Sequence, residues 1–346
     1  MKLCLNIGYS GPKMDLPMKR ILRAEELGYD TVWTSEAYGS DAITPLAYIG
    51  ALTKRIRVGT NIAQLAARTP ANLAMSAQTI DAMIGRGRMI VGLGVSGPQI
   101  VEGWYGQPWG KPAARIRDYV AIMRKLWKRE VPLTHAGTEI CLPYTGPGAT
   151  GLGKPLKSIL HGNPDIPIML GTATPGNIRM TGEIADGWLS MHLVPSTMRT
   201  YLQWLGEGMA KRTDGKTLKD FAIHGWLSVV VTHDVKSAIA AGKPRVALYV
   251  GGMGAKDKNY HKDSMIRRGY PEAAERIQEL YLAGKKDEAA AAVPDEYVDE
   301  QALIGPSDRI MERWPKWCDC GMTMLSLNDP TDEAMELMSN LVRISG

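Results

Sequence analysis

The feature that most constrains the fold is a regular alternation of short apolar segments with longer helical patterns along the whole chain. Eight segments are predicted to be β-strands from their apolar and β-branched content: 2–9, 31–36, 56–63, 88–94, 166–171, 186–193, 221–231 and 321–327. A helical pattern follows each strand, most clearly over 69–84, where Thr69 can cap the first turn and Pro70 can occupy its first position. Eight strand–helix units predict an α/β fold, a closed (β/α)8 TIM barrel.

A doubly wound open sheet is the alternative architecture, although such sheets usually have fewer strands. The chain has 346 residues, which a barrel with insertions accounts for. We therefore predict a single domain over 1–346, with insertions at about 95–111, 130–165 and 251–300. The insertion at 130–165 is rich in Gly and Pro, and the stretch GTEICLPY within it is a candidate hairpin.

Composition and charge argue against several classes of function. Charged residues make up 22% of the chain, the formal net charge is only +5, and no run of Lys and Arg exceeds three residues, so no nucleic-acid partner is predicted. No apolar segment reaches the roughly 18 residues that span a bilayer, and no signal peptide is evident, so we predict a cytoplasmic protein with no membrane partner. The scattered cysteines and histidines match no metal-binding pattern, so no metal is predicted.

Gly92, Gly94 and Gly97 have the G-x-G-x-x-G spacing of a dinucleotide-binding turn. In a dinucleotide fold that turn opens a helix after the first strand, but here it follows the fourth, and further Gly and Pro residues prevent a long helix. At the carboxyl end of a barrel strand the same loop would face a ligand, and its glycines would let a cofactor approach the backbone. A solvated surface loop is the alternative, which the aromatic residues Trp104, Tyr105 and Trp109 disfavour.

Five longer stretches resemble a known family: AEELGYDTVWTSEAYGSDAITPLA (24–47), RIRVGTNIAQLAARTPANLAMSAQTID (55–81), GLGVSGPQIVEGWYG (92–106), IPIMLGTATPGNIRMTGEIADGWL (166–189) and IGPSDRI (304–310). In this order and spacing they resemble the luciferase-like monooxygenase superfamily. Within it the chain is most similar to the F420-dependent oxidoreductases, which include the methylenetetrahydromethanopterin reductases. The resemblance implies a TIM barrel, a flavin or deazaflavin over its C-terminal face, and a homodimer.

The resemblance also implies where the cofactor lies. Its phosphate is expected at GTATPGN, where backbone amides open a helix, and its ring is expected beside a non-prolyl cis peptide between Asn61 and Ile62. An ordinary capped turn is the alternative for GTATPGN. The predicted cofactor-binding residues are Glu36, Asn61, Ile62, Gly94, Val95, Ser96, Gly97, Gly171, Thr172, Ala173, Thr174, Gly176 and Asn177.

The stretch TSEAY departs from the family pattern. Many F420-dependent relatives have an acid followed by His at this point, but here Glu36 is followed by Ala37, so proton transfer by that imidazole is not available. The predicted catalytic residues are Glu36, Tyr38 and His192, and the predicted substrate-pocket residues are Tyr9, Trp104, Tyr105 and Trp109. The basic segment 251–270 is a candidate lid over an anionic cofactor tail or substrate, or a solvated face.

The predicted function is therefore that of an F420-dependent oxidoreductase, which transfers a hydride between the deazaflavin F420 and a small organic substrate. Such an enzyme must mainly hold the two reacting carbons close together and exclude water. The loop Val95–Gly97 lacks the Glu that sugar-phosphate dehydrogenases of the family carry, which argues against glucose 6-phosphate as the substrate. An FMN-dependent monooxygenase, or a non-catalytic protein that binds F420 or flavin, is the alternative.

Overall fold

The computed structural model describes residues 1–191, 193–253 and 259–345. Its strands are β1 (Lys2–Gly8), β2 (Thr31–Thr34), β3 (Arg57–Thr60), β4 (Ala63–Gln64), β5 (Met89–Gly94), β6 (His135–Ala136), β7 (Cys141–Leu142), β8 (Ile168–Leu170), β9 (Gly187–Leu189), β10 (Ala222–Val231), β11 (Ala302–Gly305) and β12 (Met324–Asn328). Eight of them pair in parallel in the order β1-β2-β3-β5-β8-β9-β10-β12, and β12 pairs back to β1. This closure confirms the predicted barrel.

Helices connect the strands and surround the barrel. They are α1 (Met18–Glu26), α2 (Thr44–Leu52), α3 (Pro70–Ile84), α4 (Pro98–Val101), α5 (Pro112–Lys128), α6 (Pro175–Ile184), α7 (Met198–Met209), α8 (Val235–Ala247), α9 (Tyr260–Arg267), α10 (Pro271–Leu282), α11 (Lys286–Ala291), α12 (Asp295–Glu300), α13 (Ser307–Cys318) and α14 (Asp332–Ser345). The predicted cap of α3 is confirmed, since Thr69 Oγ1 accepts a hydrogen bond from the Asn72 amide at 3.2 Å. Among the described helices, none has the length and apolar character needed to cross a bilayer.

The barrel strands are buried on both faces. In β1, Leu3 and Leu5 pack outward against the helices, while Cys4 belongs to a separate interior cluster with Trp33, Ile90, Met169, Leu189 and Met324. Gly92 belongs to this tightly packed interior, because a Cβ there would lie 2.0 Å from the carbonyl oxygen of Thr60. The first glycine of the G-x-G-x-x-G motif therefore serves close packing of β5 against β3.

Two insertions have structure of their own. The predicted hairpin in 130–165 is confirmed as the antiparallel pair β6–β7. Between β10 and β12, helices α8–α12 surround a second hydrophobic cluster that includes Ile239, Ala247, Ile277 and Val298. Helix α8 precedes the predicted start of this insertion at 251 but shares its cluster, because its apolar face packs against α11 and α12.

Candidate active site

The cis peptide bond implied by the resemblance is present between Asn61 and Ile62, just after β3. The side chain of Ile62 packs against Gly94 at the end of β5 and Gly171 after β8. A Cβ on Gly94 would lie 2.7 Å from an Ile62 carbon, and a Cβ on Gly171 would lie 2.8 Å from another. The three predicted residues thus meet at the carboxyl ends of their strands, where Ile62 forms an apolar floor.

Asn61 places an unused donor beside this floor. Its backbone carbonyl accepts a hydrogen bond from Ser35 Oγ at 2.7 Å, which ties the ends of β2 and β3 together. Its side-chain Nδ2 is buried and has no partner among the described residues. A buried unpaired donor costs about 1–3 kcal/mol, so a ligand oxygen or nitrogen at this point would recover that energy.

Glu36 is fully engaged by the protein. Arg68 donates to Oε1 at 2.7 Å and to Oε2 at 2.9 Å, the Gln64 amide donates to Oε1 at 2.7 Å, and the Ala42 amide donates to Oε2 at 3.0 Å. A carboxylate offers about four lone-pair sites, and these four donors occupy them. The geometry therefore gives Glu36 the role of an anchor and leaves no acceptor site for the predicted contact with a cofactor.

The same anchor connects three strand ends. Gln64, in β4, also donates from Nε2 to the carbonyl oxygen of Val95 at 2.8 Å. The side chain of Glu36 is only 2% exposed and that of Arg68 is 16% exposed, so their ion pair is largely shielded from water. The loops after β2, β3 and β5 are held together by this network.

Aromatic side chains stand at the rim. The rings of Tyr38 and Trp104 meet edge-on with centroids 6.5 Å apart, and Tyr105 Oη donates to the Ala37 carbonyl at 3.3 Å. Burial raises the pKa of Tyr105, and the negative charge of Glu36 raises it further. Tyr38 and Trp104 are 65% and 61% exposed, so they line the rim of the site and not its interior.

The two remaining predicted pocket residues, Tyr9 and Trp109, lie in different places relative to Tyr38. Tyr9 follows β1 and is 51% exposed; partial burial, Tyr249 and Tyr38 all raise its pKa. Trp109 is half-buried in the loop before α5. The structure therefore brings Tyr9 close to Tyr38 at the mouth, whereas no described ring contact joins Trp109 to them.

The loop after β5 leaves the barrel through Ser96, whose φ of 54° lies in the left-handed region. Gly97 then precedes α4, which spans only Pro98–Val101. A helix this short cannot supply the dipole of a dinucleotide-binding turn, which agrees with the rejection of that fold from the sequence.

The predicted phosphate loop is the start of α6. Thr174 caps this helix by accepting a hydrogen bond from the Asn177 amide at 3.4 Å, and Gly176 is exposed in its first turn. Thr172 is different, because its hydroxyl pairs with Thr181 Oγ1 at 2.7 Å and its carbonyl accepts from Trp188 Nε1 at 2.8 Å. Ala173 is half-buried between them. The accessible groups for an anion are therefore at 174–176.

His224 belongs to a strand of the barrel and His192 follows another, and of the two only His224 lies within the described residues. His192 lies outside the described residues, so its predicted catalytic role stays a prediction. His224 is fully buried inside the barrel, where its Nε2 lies 2.6 Å from Ser326 Oγ and Trp33 packs against its ring. Burial lowers the pKa of His224 to about 3, so the imidazole is neutral at physiological pH.

We expect this buried histidine to weaken the fold in acid. The unfolded chain takes up the proton near pH 6.5 but the folded one only near 3, so stability is complete above pH 6.5 and falls as the pH decreases toward 3. His261, whose pKa burial lowers to about 4, contributes with the same sign. The free energy of unfolding, measured in urea, should therefore fall with decreasing pH less steeply in His224→Gln than in wild type. The difference in slope should be up to about 1.4 kcal/mol per pH unit. The exposed His233→Gln is the control, and equal slopes in His224→Gln and wild type would contradict the prediction.

A cavity of about 440 Å³ lies between the barrel and the helices of the large insertion. It is lined by Trp226 of β10, whose buried Nε1 has no described partner, and by Asn328 of β12, whose Oδ1 accepts from Asn6 Nδ2 at 3.0 Å. Sequence reasoning missed these residues. The available clue was that His224, Trp226 and Ser228 alternate as polar or amphipathic residues along an otherwise apolar strand.

Another cavity, of about 840 Å³, opens at the opposite, N-terminal face of the barrel. Several of its charged side chains form ion pairs with one another; Asp186, for example, pairs with Arg124 at 2.9 Å and Lys216 at 2.8 Å. TIM barrels build their ligand sites at the C-terminal face. We therefore place the candidate active site at the C-terminal face despite the larger volume of this cavity.

Comparisons with known proteins identify the family. Residues 9–324 match the family model described as luciferase-like monooxygenase. A Mycobacterium tuberculosis protein, named provisionally as a coenzyme F420-dependent oxidoreductase, is 46% identical over 344 residues, which cover 99% of each chain. A 5,10-methylenetetrahydromethanopterin reductase of Archaeoglobus fulgidus is 26% identical over 313 residues, covering 89% of this chain and 87% of the reductase.

A solved structure supports the same architecture. The coenzyme F420-dependent tetrahydromethanopterin reductase of Methanopyrus kandleri superposes with a TM-score of 0.80 over 100% of this chain and 99% of its own. Its sequence identity is 21%, so the likeness is one of fold.

Proposed function

We propose, from the premise that this chain belongs to the luciferase-like monooxygenase family, that it is an F420-dependent oxidoreductase. The observation that carries the proposal is the barrel floor, where Ile62 is packed between Gly94 and Gly171 beside the side-chain amide of Asn61, whose Nδ2 has no partner in the described part of the chain. This floor suits a flat ring with polar edges. It would accept either a flavin or a deazaflavin, and the relative at 46% identity is what favours F420.

The residues present fit such a cofactor in three places. Ile62 would support the ring, Asn61 Nδ2 would donate to a ring heteroatom, and the first turn of α6 would bind the phosphate. At that turn Thr174 and Gly176 are exposed, and the positive end of the helix dipole favours an anion. Thr172 would act indirectly, since its bond to Thr181 fixes the loop.

When bound in its reduced form, F420 supplies a hydride. The chain's own contribution is to hold the substrate over the floor and keep water out. Tyr9 and Tyr38 offer hydroxyl groups at the rim, and partial burial, which raises the pKa of Tyr9, leaves its hydroxyl even less ionised at neutral pH than that of a free tyrosine. Glu36 would act as a positioning residue, because its four hydrogen bonds hold the loop that carries Tyr38.

Titration with F420 and with FMN tests the proposal. The chain has nine tryptophans, so docking of either ring should quench intrinsic fluorescence. We expect saturable quenching by F420 and binding of FMN that is at least about ten-fold weaker, equivalent to about 1.4 kcal/mol. Binding of FMN in preference to F420 would favour a monooxygenase. Tight F420 binding without turnover of enones, imines, ketones or alcohols would favour a non-catalytic binding protein.

The proposed function includes a homodimer. Helices α2 and α3 expose a set of large apolar side chains: Tyr48 at 55%, Leu52 at 49%, Met75 at 57% and Met83 at 68%. Tyr48 and Leu52 lie one turn apart on α2, which packs beside α3. Large apolar side chains exposed on two neighbouring helices favour a protein partner, and a second copy of the chain would bury them.

We expect the double substitution Leu52→Lys and Met83→Lys to shift the protein toward the monomer. Two unpaired lysines would have to be buried in the contact, which is unfavourable without a counter-charge. Light scattering coupled to size exclusion should give twice 37.8 kDa for wild type and 37.8 kDa for the variant. Met311→Lys, at an exposed position on α13, is the control. A wild-type mass of one chain would rule out this dimer.

A further inference from the structure

The cavity beside the large insertion has the construction of a ligand site. One face of α8 lines it with residues at helical spacing: Ala238, Ala241, Gly242, Arg245 and Val246. Small residues dominate the first part of this face, which is what leaves the space open. A volume of about 440 Å³ lies in the range of small-molecule pockets, about 300–1,000 Å³.

The opposite walls are mainly aliphatic. Leu193 lines the cavity from the segment after β9, Val230 from β10, and Ile304 from β11. Trp226 and Val230 are four residues apart on β10, so the lined length of this strand is about 13 Å at about 3.3 Å per residue. This shape suits an elongated apolar body.

Arg245 is the one charged residue among the described residues that line the cavity. Its guanidinium lies 5.8 Å from the centre of the Tyr249 ring, and no described carboxylate forms an ion pair with it. An arginine stays charged at every physiological pH and is well suited to hold a carboxylate or phosphate. The end of the cavity near Arg245 therefore favours an anionic group.

The barrel end of the cavity offers a different polar contact. Trp226 Nε1 is a donor only, it is buried, and it has no described partner. A ligand that placed an oxygen acceptor there would satisfy it. The cavity thus combines a donor at the barrel, an apolar middle and a cation at its outer part.

We infer that this cavity binds an amphipathic organic anion, with its anionic group at Arg245, its apolar chain along β10 and α8, and a hydrogen-bond acceptor at Trp226. That this anion is the substrate of the enzyme rests on the proposed function. The inference narrows the substrate class from any small organic molecule to an elongated compound with a charged end. Neutral short alcohols and sugars would use this site poorly.

Calorimetry with three matched probes tests the inference on the full chain, both with and without F420. They are 7-oxooctanoate, the neutral 2-octanone, which lacks the carboxylate, and octanoate, which lacks the ketone. We expect 7-oxooctanoate to bind wild type about ten-fold or more tightly than 2-octanone, as a charge-assisted hydrogen bond provides. Arg245→Gln should remove that preference. Trp226→Phe should weaken 7-oxooctanoate but leave octanoate nearly unchanged.

Arg276→Gln is the matched control, since Arg276 is exposed on α10 outside the cavity. Equal affinity of wild type for 7-oxooctanoate and 2-octanone would overturn the inference without any variant. So would an anion preference that survives in Arg245→Gln. F420 binding is measured separately, so the two proposals can fail independently. A protein that binds the anion through Arg245 but does not bind F420 would refute the proposed function and support the anion site. A protein that binds F420 but does not prefer the anion would support the proposed function and refute the anion site.

Discussion

The variant Glu36→Gln is expected to lower the free energy of unfolding by about 3–5 kcal/mol, because it removes the two-point counter-charge of Arg68 in a shielded site and leaves only the more exposed Asp41, whose Oδ1 lies 3.5 Å from Arg68. Glutamine keeps the shape of the side chain, but its amide nitrogen cannot accept the hydrogen bonds that one carboxylate oxygen accepts from Arg68 and a backbone amide. Arg68 retains 16% exposure, so a value near the lower end of the range is expected. Urea unfolding followed by circular dichroism measures the change.

Two controls separate this effect from ordinary loss of a charge. Glu288→Gln removes the partner of Lys285 on α11, where both side chains are more than half exposed, and should cost less than about 1 kcal/mol. The double variant Glu36→Gln with Arg68→Met removes both charges together and should be less destabilised than Glu36→Gln alone. A loss of less than about 1 kcal/mol in Glu36→Gln would show that the pair is not buried as described.

The second large effect is expected from Gly94→Val, which should weaken F420 binding by about ten-fold to a hundred-fold. A Cβ at Gly94 would lie 2.7 Å from the Ile62 side chain, so valine must displace the floor on which the ring is proposed to rest. Overpacking of this kind costs about 1–3 kcal/mol, and each 1.4 kcal/mol is about ten-fold in affinity. The measurement is fluorescence quenching by F420, with thermal unfolding recorded on the same sample.

Gly206→Val is the matched control, since no atom of the described residues lies within 4 Å of a Cβ at Gly206 on α7. Gly171→Val provides a second test of the floor, because a Cβ there would lie 2.8 Å from Ile62. Unchanged F420 affinity in folded Gly94→Val and Gly171→Val would remove Ile62 from the cofactor site. The position of the ring would then have to be sought elsewhere on the C-terminal face.

The local features of the fold were predictable. Strand and helix periodicities depend on neighbours in the chain, so all eight barrel strands and the Thr69 cap of α3 could be identified from short stretches. The start of α6 also has a local signal, since Thr174 and Pro175 repeat the pattern of Thr69 and Pro70. The cis bond at Asn61–Ile62 and the phosphate-binding role of 174–176 were accessible only through the resemblance to a family. The predicted catalytic role of His192 stays a prediction, because this residue lies outside the described residues.

Other features depend on contacts between distant parts of the chain. Glu36 could be identified as a functional candidate, but its partner Arg68 and the amides of Ala42 and Gln64 reach it only when the ends of β2, β3 and β4 come together. Gly92 likewise matched a nucleotide motif in the sequence, yet its reason is the approach of Thr60. Neither contact follows from sequence spacing.

The order of the elements and the closed barrel were thus determined by the sequence itself, since the repeated alternation of strand and helix leaves few other ways to bury every apolar face. Which side chains share the C-terminal face was decided only by the tertiary structure. Closing the barrel sets residues such as Ile62, Gly171 and Trp226 at the same end, and packing α8 against the insertion places Arg245 on the cavity that Trp226 also lines. Those juxtapositions depend on three-dimensional packing over long stretches of chain, which no local pattern encodes.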